Sequence, residues 1–387
     1  MERQLLVDLG RLARNDARGG LGPRRVASGR IRIREVHEHL QANLDNYWLR
    51  PPDPAELVPG ILARSAEMRT AGEELIVVGG PGPVRAARAL VEAVDGDAPI
   101  RWMDAPDPQR LEALLARPAV WMLLEGPQWA DDVVVEANEA GHPVAIAGAG
   151  EPDPPPSGWW FSDPRVVDAR QAIYGEGVLT IAAFAGLDLG SFLAGAGDML
   201  RHNAVPGLFD NPAYAVGVPV ATAVKELGFD VVLHLACSAR LGAFSAWIAA
   251  VWGSMLTGTT RVGGLEHPLT LNVRSGSAGD EDLANALLPR REGMAIAWDA
   301  ERESGSAAGY ASRAFLDVWA REVQPVVRVR VPGLDAGTLG GAVALGLHAG
   351  VTAALCLDLD PRSVSGATAW RAEQDRLTAI DDLQHNH

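Results

Sequence analysis

The chain is poor in the residues on which several chemistries depend. Two cysteines occur in 387 residues, Cys237 and Cys356. They are far apart and lack metal-ligand spacing, so neither a disulfide framework nor a thiolate metal site is expected, and a reducing cytoplasm is the natural setting. Lys225 is the one lysine, and every other fixed side-chain cation is arginine, which leaves almost no room for lysine-based catalysis. No stretch reaches the ~18 uncharged apolar residues of a membrane span. The longest apolar run, FSAWIAAVWGSMLTG, reads as a buried core helix. The opening MERQLLVDLGRLARND mixes charge with leucine and has no apolar signal core. There is no basic block and the net charge is −15, which argues against nucleic acid as a partner. No pattern of metal ligands and no cofactor fingerprint appears, so no metal and no cofactor is expected.

What is present is a globular composition, 48% apolar and 21% charged, with length for two or three domains. Residues 1–48 read as an N-terminal helical segment, with REVHEHLQANLDNYWL near helical spacing. PPDPAELVPGILARSAEMRTAG restarts a helix after a proline break. Then EELIVVGGPGPVRAARALVEAV runs from an apolar strand through a glycine turn into an alanine-rich helix. PIRWMDAPDPQRLEALLA, AVWMLLEGPQWADDVVVEANEAG and HPVAIAGAG repeat the theme. Apolar strands alternating with helices predict a parallel sheet covered on both faces. After the proline-rich EPDPPPSGWWFSDP, a mostly helical stretch covers VVDARQAIYGEGVLTIAAFAGLDLGSFLAGAGDML. A second strand–helix series begins at FDVVLHLACSARLGAFSAWIAAVWGSML. PLTLNVRSG, GMAIAWDAE, PVVRVRVPGL and TAALCLDLD read as further strands, with GTLGGAVALGLHAG as a helix between the last two.

Ligands of parallel α/β proteins bind beyond the carboxyl ends of the strands, at the starts of helices. Two such turns stand out for what they contain. GGPGP places Pro81 and Pro83 where backbone N–H donors would face a ligand. VWMLLEGPQWADD offers Glu125, Asp131, Asp132 and Trp129, and no serine or threonine. Two unit charges about 4 Å apart repel by about 4 kcal/mol at an effective dielectric of 20, so these acids oppose a phosphate dianion. They also complement a helix N-terminus, which is the plainer reason for their presence.

Several segments, in order over about residues 70–360, resemble the phosphoglucose isomerase family. They are IVVGGPGPVRAARAL, EGVLTIAAFAGLDLGSFLAGAGDML, NPAYAVGV, the stretch in which Ser238, Arg240, Leu241, Phe244, Trp247 and Trp252 fall in step, and GGLEHPLTL. The resemblance implies an α/β fold of two sugar-isomerase (SIS) domains. Each would be a parallel sheet flanked by helices in three layers, at 49–175 and 206–387, with a connecting helical segment at 176–205. It also implies a homodimer with its site near the subunit interface.

Aldose–ketose isomerisation needs an anion pocket, a carboxylate base, a cation for the enediolate, and ring-opening help. By the resemblance, Arg170 is the enediolate cation and His267 the ring-opening histidine, while Ser254 stands where the family has its catalytic glutamate and Thr368 lies near its lysine. Glu266 is the nearest candidate for a displaced base. Gly79, Gly82, Gly126 and Gln128 line the two turns as candidate substrate contacts. Arg170 and His267 also have plain readings, the arginine paired with an acid such as Glu176 and the histidine a structural hydrogen-bonding residue.

The joint loss of base, lysine and phosphate hydroxyls leads to an expectation. The chain is a glucose-6-phosphate isomerase-like protein of carbohydrate metabolism that lacks the usual activity and acts in binding or assembly, with a sugar or sugar phosphate as ligand or a metabolic enzyme as partner. The alternative is an active sugar isomerase with a rebuilt site, using Glu266, His267 and Arg170 on glucose 6-phosphate, fructose 6-phosphate or an unphosphorylated sugar. A small-molecule sensor is a third reading that the sequence does not separate from the first.

Overall fold

The structure is a computed structural model that describes residues 5–9, 30–45, 47–94, 99–124, 128–148, 158–162, 172–262, 265–278, 293–300, 314–317 and 325–362. Two five-stranded sheets organise these residues.

The first sheet is parallel throughout, with Ile100–Met103, Glu74–Val78, Ala119–Leu124, Val144–Gly148 and Trp159–Ser162 lying side by side in that order. The central strands ELIVV and AVWMLL are buried at every position, as expected of strands covered on both faces. The two-residue period divides their side chains. Ile76, Val78, Trp121 and Leu123 pack with helices Pro108–Leu115 and Gln128–Glu139 on one side. Leu75, Val77, Val120 and Met122 join the larger core on the other, which helices Pro54–Ala71, Pro81–Val91 and Glu176–Phe184 help to form. Gly177 lets the last of these settle on the sheet, since a Cβ there would lie 2.5 Å from that of Ala147.

The second sheet runs in the order Leu6–Asp8, Val326–Val331, Gly293–Ala300, Val231–Ala236, Asn272–Ser277. Four strands are parallel and the first is antiparallel. Helices Leu189–His202, Pro212–Leu227, Gly242–Met255 and Ala336–Cys356 belong to this half. The last is 21 residues long, and 94% of its most apolar window is buried inside the protein. It crosses Leu189–His202 so closely that a Cβ on Gly195 would lie 1.9 Å from the Gly337 carbonyl, and one on Gly340 1.9 Å from that of Phe192.

Parallel sheets flanked by helices are thus what the alternating pattern predicts. Four local readings change. The N-terminal segment is helical at Arg30–Ala42, but Leu6–Asp8 is an edge strand paired with Arg328–Arg330. TAALCLDLD is not a strand: no turn residue interrupts the apolar run after Gly350, so the helix continues to Cys356 and ends with Asp358 in the left-handed region at φ 61°. PLTLNVRSG is two strands divided at Leu271. Leu265–Thr270 turns back on Thr257–Val262 as an antiparallel ribbon, and Asn272–Ser277 joins the sheet. The long helical stretch is likewise two helices, broken at Gly186 with φ 95°.

Candidate functional site

The strand ends of the first sheet bring the two unusual turns together. A Cβ on Gly79 would lie 2.6 Å from the carbonyl oxygen of Leu124, so the chain leaves the two central strands at adjoining points. The Gly79 N–H points to the Met103 carbonyl at 3.4 Å, which gives this glycine a packing role. Helix Pro81–Val91 follows. Its N-cap is Gly80, extended and without a side-chain cap. Pro81 is the first residue of the helix and Pro83 the third, so neither carries an N–H. The Val84 N–H bonds back to the Gly80 carbonyl at 3.2 Å. Gly82 therefore keeps the one backbone donor among the first three positions of a turn whose usual use is to face an anion.

Helix Gln128–Glu139 starts the neighbouring turn. Asp131 lies in its first turn, and its carboxyl is pushed above the ordinary aspartate value by burial and then by the negative charge of Asp132. Trp129 is partly buried and packs into the apolar cluster of Ile76, Val78, Met103 and Trp121, extending the core below the turn. Gly126 lies outside the described residues, and Gln128 is placed as the first residue of this helix.

A third element comes from the second half. Arg240, in the 3-10 turn Ala239–Leu241, donates through Nη2 to the carbonyl of Ala93, just past the end of helix Pro81–Val91. Helix Gly242–Met255 begins there and packs along Pro81–Val91. Residue 254, where the resemblance places a base, lies near the end of this helix. Ser254 instead donates its hydroxyl to the Val251 carbonyl at 2.8 Å, a helical back-bond that ties up its proton. Trp252 is fully buried and donates to the Gly346 carbonyl at 2.9 Å, which anchors this helix to the core.

The remaining predicted residues do not assemble into a described site. Glu266 and His267 stand opposite Arg261 and Thr260 in the antiparallel ribbon. Arg170 lies outside the described residues. Glu176, the acid expected beside it, accepts from Arg64 at 2.9 Å, and the Arg64 guanidinium also lies over the Phe161 ring. Sequence reasoning missed Arg64 because its partner lies 112 residues away. It missed the Arg240 clamp for a similar reason, since a carbonyl acceptor leaves no mark in a sequence. Among the described residues no group of histidine, cysteine and carboxylate side chains could hold a metal.

Three cavities lie elsewhere. One of about 870 Å³ is lined by Asp188, Ser191 and Asp198 with Asp335, Gly337 and Thr338. One of about 540 Å³ lies beside Arg69 and Phe184, and one of about 190 Å³ beside Arg32, Lys225 and Cys356. None of the three is lined by Gly79, Gly82, Gln128, Ser254 or Arg240.

Comparison with known proteins fits this architecture. No family model matches the chain. A probable glucose-6-phosphate isomerase of Halobacterium salinarum is 31% identical over 193 residues, which is 46% of this chain and 45% of that protein. The chain spans less than half the length of the curated relatives it matches. Among solved structures, a hypothetical protein from Thermus thermophilus superposes with a TM-score of 0.78 over 97% of this chain and 100% of that one, at 14% identity. A glucose-6-phosphate isomerase from Chlamydia trachomatis superposes with a TM-score of 0.69 over 87% of this chain and 77% of that one, also at 14% identity. At such identity the superpositions establish the fold, which is that of the SIS-type phosphosugar isomerases. The similarity to glucose-6-phosphate isomerases read from the motifs is found again in the curated relatives.

Proposed function

We propose that this chain is a glucose-6-phosphate isomerase-like protein of carbohydrate metabolism that does not perform the usual aldose–ketose exchange on a hexose phosphate. It acts instead by binding, as a cytoplasmic homodimer that takes up a sugar or docks on a metabolic enzyme. The observation that carries this reading is the start of helix Pro81–Val91, where two of the first three residues are prolines. A phosphate held by a helix start is held by N–H groups, and proline removes them outright.

The neighbouring turn supports the same conclusion. Burial, and after it the negative charge of Asp132, raises the Asp131 carboxyl, and a phosphate placed beside this pair would meet the same poorly solvated, negative surroundings. The Ser254 hydroxyl, committed to the Val251 carbonyl, supports it further. A hydroxyl of ordinary acidity does not remove a proton from carbon at neutral pH.

The test is an isomerase assay on the purified full chain with glucose 6-phosphate and with fructose 6-phosphate. No turnover above the uncatalysed background is expected. Turnover on the scale of ordinary enzymes, about 1–10³ per second, would overturn the reading. It would leave the rebuilt-site alternative, in which Glu266 is the base, as the account to pursue.

A further inference from the structure

Helix Arg30–Ala42 lies on the second half of the molecule, against Ala336–Cys356. It buries Ile33, Val36 and Leu40, and Arg32 grips Asp358, beyond the end of the long core helix, with hydrogen bonds of 2.7 and 2.5 Å. Two histidines on this short helix each share a hydrogen bond with a tyrosine from elsewhere. His37 Nδ1 and the Tyr214 hydroxyl are 2.7 Å apart, and His39 Nε2 and the Tyr47 hydroxyl 2.6 Å.

Next to Tyr214 lies a third histidine. The His348 ring stands nearly perpendicular to that of Tyr214, at 87° and 6.5 Å between centroids. His348 is 1% exposed, and neither of its ring nitrogens has a hydrogen-bond partner among the described residues. A buried polar ring without partners costs stability that a leucine of similar volume would not. Packing of the core helix does not account for it.

We propose that helix Arg30–Ala42 is an acid-releasable clasp, which shields the His37–Tyr214–His348 array in its uncharged form and undocks ahead of the rest of the fold when these rings take up protons. Burial holds His37 below the ordinary histidine value, with Glu38 acting weakly the other way. Burial, reinforced by the like charge of His37, takes His348 down to about 3. For a histidine depressed in this way the closed state binds fewer protons than the open one. Docking is therefore complete above about pH 6.5 and is lost as the pH falls below it.

The other charges around the array do not reverse this sign. On the clasp itself Arg34 pairs with Glu38 and Arg32 with Asp358, and Glu35 bears on Arg32. Helix Pro212–Leu227 contributes Lys225, also on Asp358, and Glu226. The core helix adds Cys356, whose thiol burial pushes up to about 11. Helix Gly242–Met255 carries no charged residue. Asp198, Arg201 and His202 of Leu189–His202 belong to the end that meets Gly337 and Gly341. Asp358 is held below its ordinary value, first by the hydrogen bond from Arg32, so that pair persists at the pH where the histidines titrate.

Hydrogen exchange of the full chain, compared as protection factors near pH 7 and pH 5, tests the proposal. Exposure of a histidine with an ordinary value of about 6.5 multiplies the opening constant about 25-fold over that interval. Residues 32–42 should lose protection by about that factor while Glu176–Phe184 keeps its own. In His348→Leu most of the change should disappear with the remaining helices protected as before. His37→Gln, at the half-buried rim, should remove a smaller share. Protection of residues 32–42 that is flat with pH, that falls equally in His348→Leu, or that falls in step with Glu176–Phe184 would overturn the clasp.

Discussion

The two sheets differ in where they keep their polar groups. In the first, the central strands are apolar along their length, and the buried charge sits at an entrance. Glu74, the first residue of its strand, is held by Arg101 at 2.5 Å and Arg117 at 2.6 Å. In the second, polar groups lie within the strands. His234, in the middle of Val231–Ala236, is fully buried against Trp298 and Trp252, and Asp299 is 3% exposed beside Arg328. The first half thus pairs an apolar parallel scaffold with a helix start that carries two prolines. The second holds polar pairs inside its strands.

The sharpest way to break this comparison is to remove one carboxylate from each sheet. Asp299→Ala leaves Arg328, whose side chain is 11% exposed, as an unpaired buried cation. The expected loss is about 3–5 kcal/mol, measured by denaturant unfolding. Glu74→Ala leaves Arg101 and Arg117, 44% and 47% exposed, free to turn to water, and about 1–2 kcal/mol is expected. Burial pushes the Glu74 carboxyl up, but the two arginine hydrogen bonds and charges more than offset it, leaving a net depression. Its share of stability is thus present above the ordinary glutamate range and is lost as the pH falls through the depressed value. Equal losses from the two substitutions would erase the distinction between the sheets.

Glycine contacts sharpen the comparison at smaller cost. Gly340→Ala places a methyl 1.9 Å from the Phe192 carbonyl at the helix crossing of the second half, where backbone must move, and about 3 kcal/mol is expected. Gly79→Ala places one 2.6 Å from the Leu124 carbonyl and 2.9 Å from its Cβ, where a strand end can give, and about 1–2 kcal/mol is expected. Thermal unfolding of the two variants ranks them directly.

Much of this was legible in the residues. ELIVVGG and AVWMLL announced buried parallel strands, and Pro81 and Pro83 announced a helix start short of two donors, because a missing N–H is a property of the residue itself. Composition failed where long-range packing decides. LVD at residues 6–8 is too short to signal a strand without its partner at Arg328–Arg330. VTAALC has strand-like residues but continues a helix that neighbours enclose on every side. Trp129 reads from the sequence only as an indole in an acidic turn, whereas it packs into the apolar cluster beneath that turn. The clamp from Arg240 to Ala93 and the pair of Arg64 with Glu176 depend on contacts across more than a hundred residues.

Calorimetric titration of the full chain with glucose 6-phosphate tests the central claim most directly, because it reads the phosphate pocket without requiring turnover. A turn deprived of two donors and flanked by acids should show no saturable binding tighter than about 1 mM, about 4 kcal/mol. Saturation at micromolar concentrations, about 8 kcal/mol, would contradict the account.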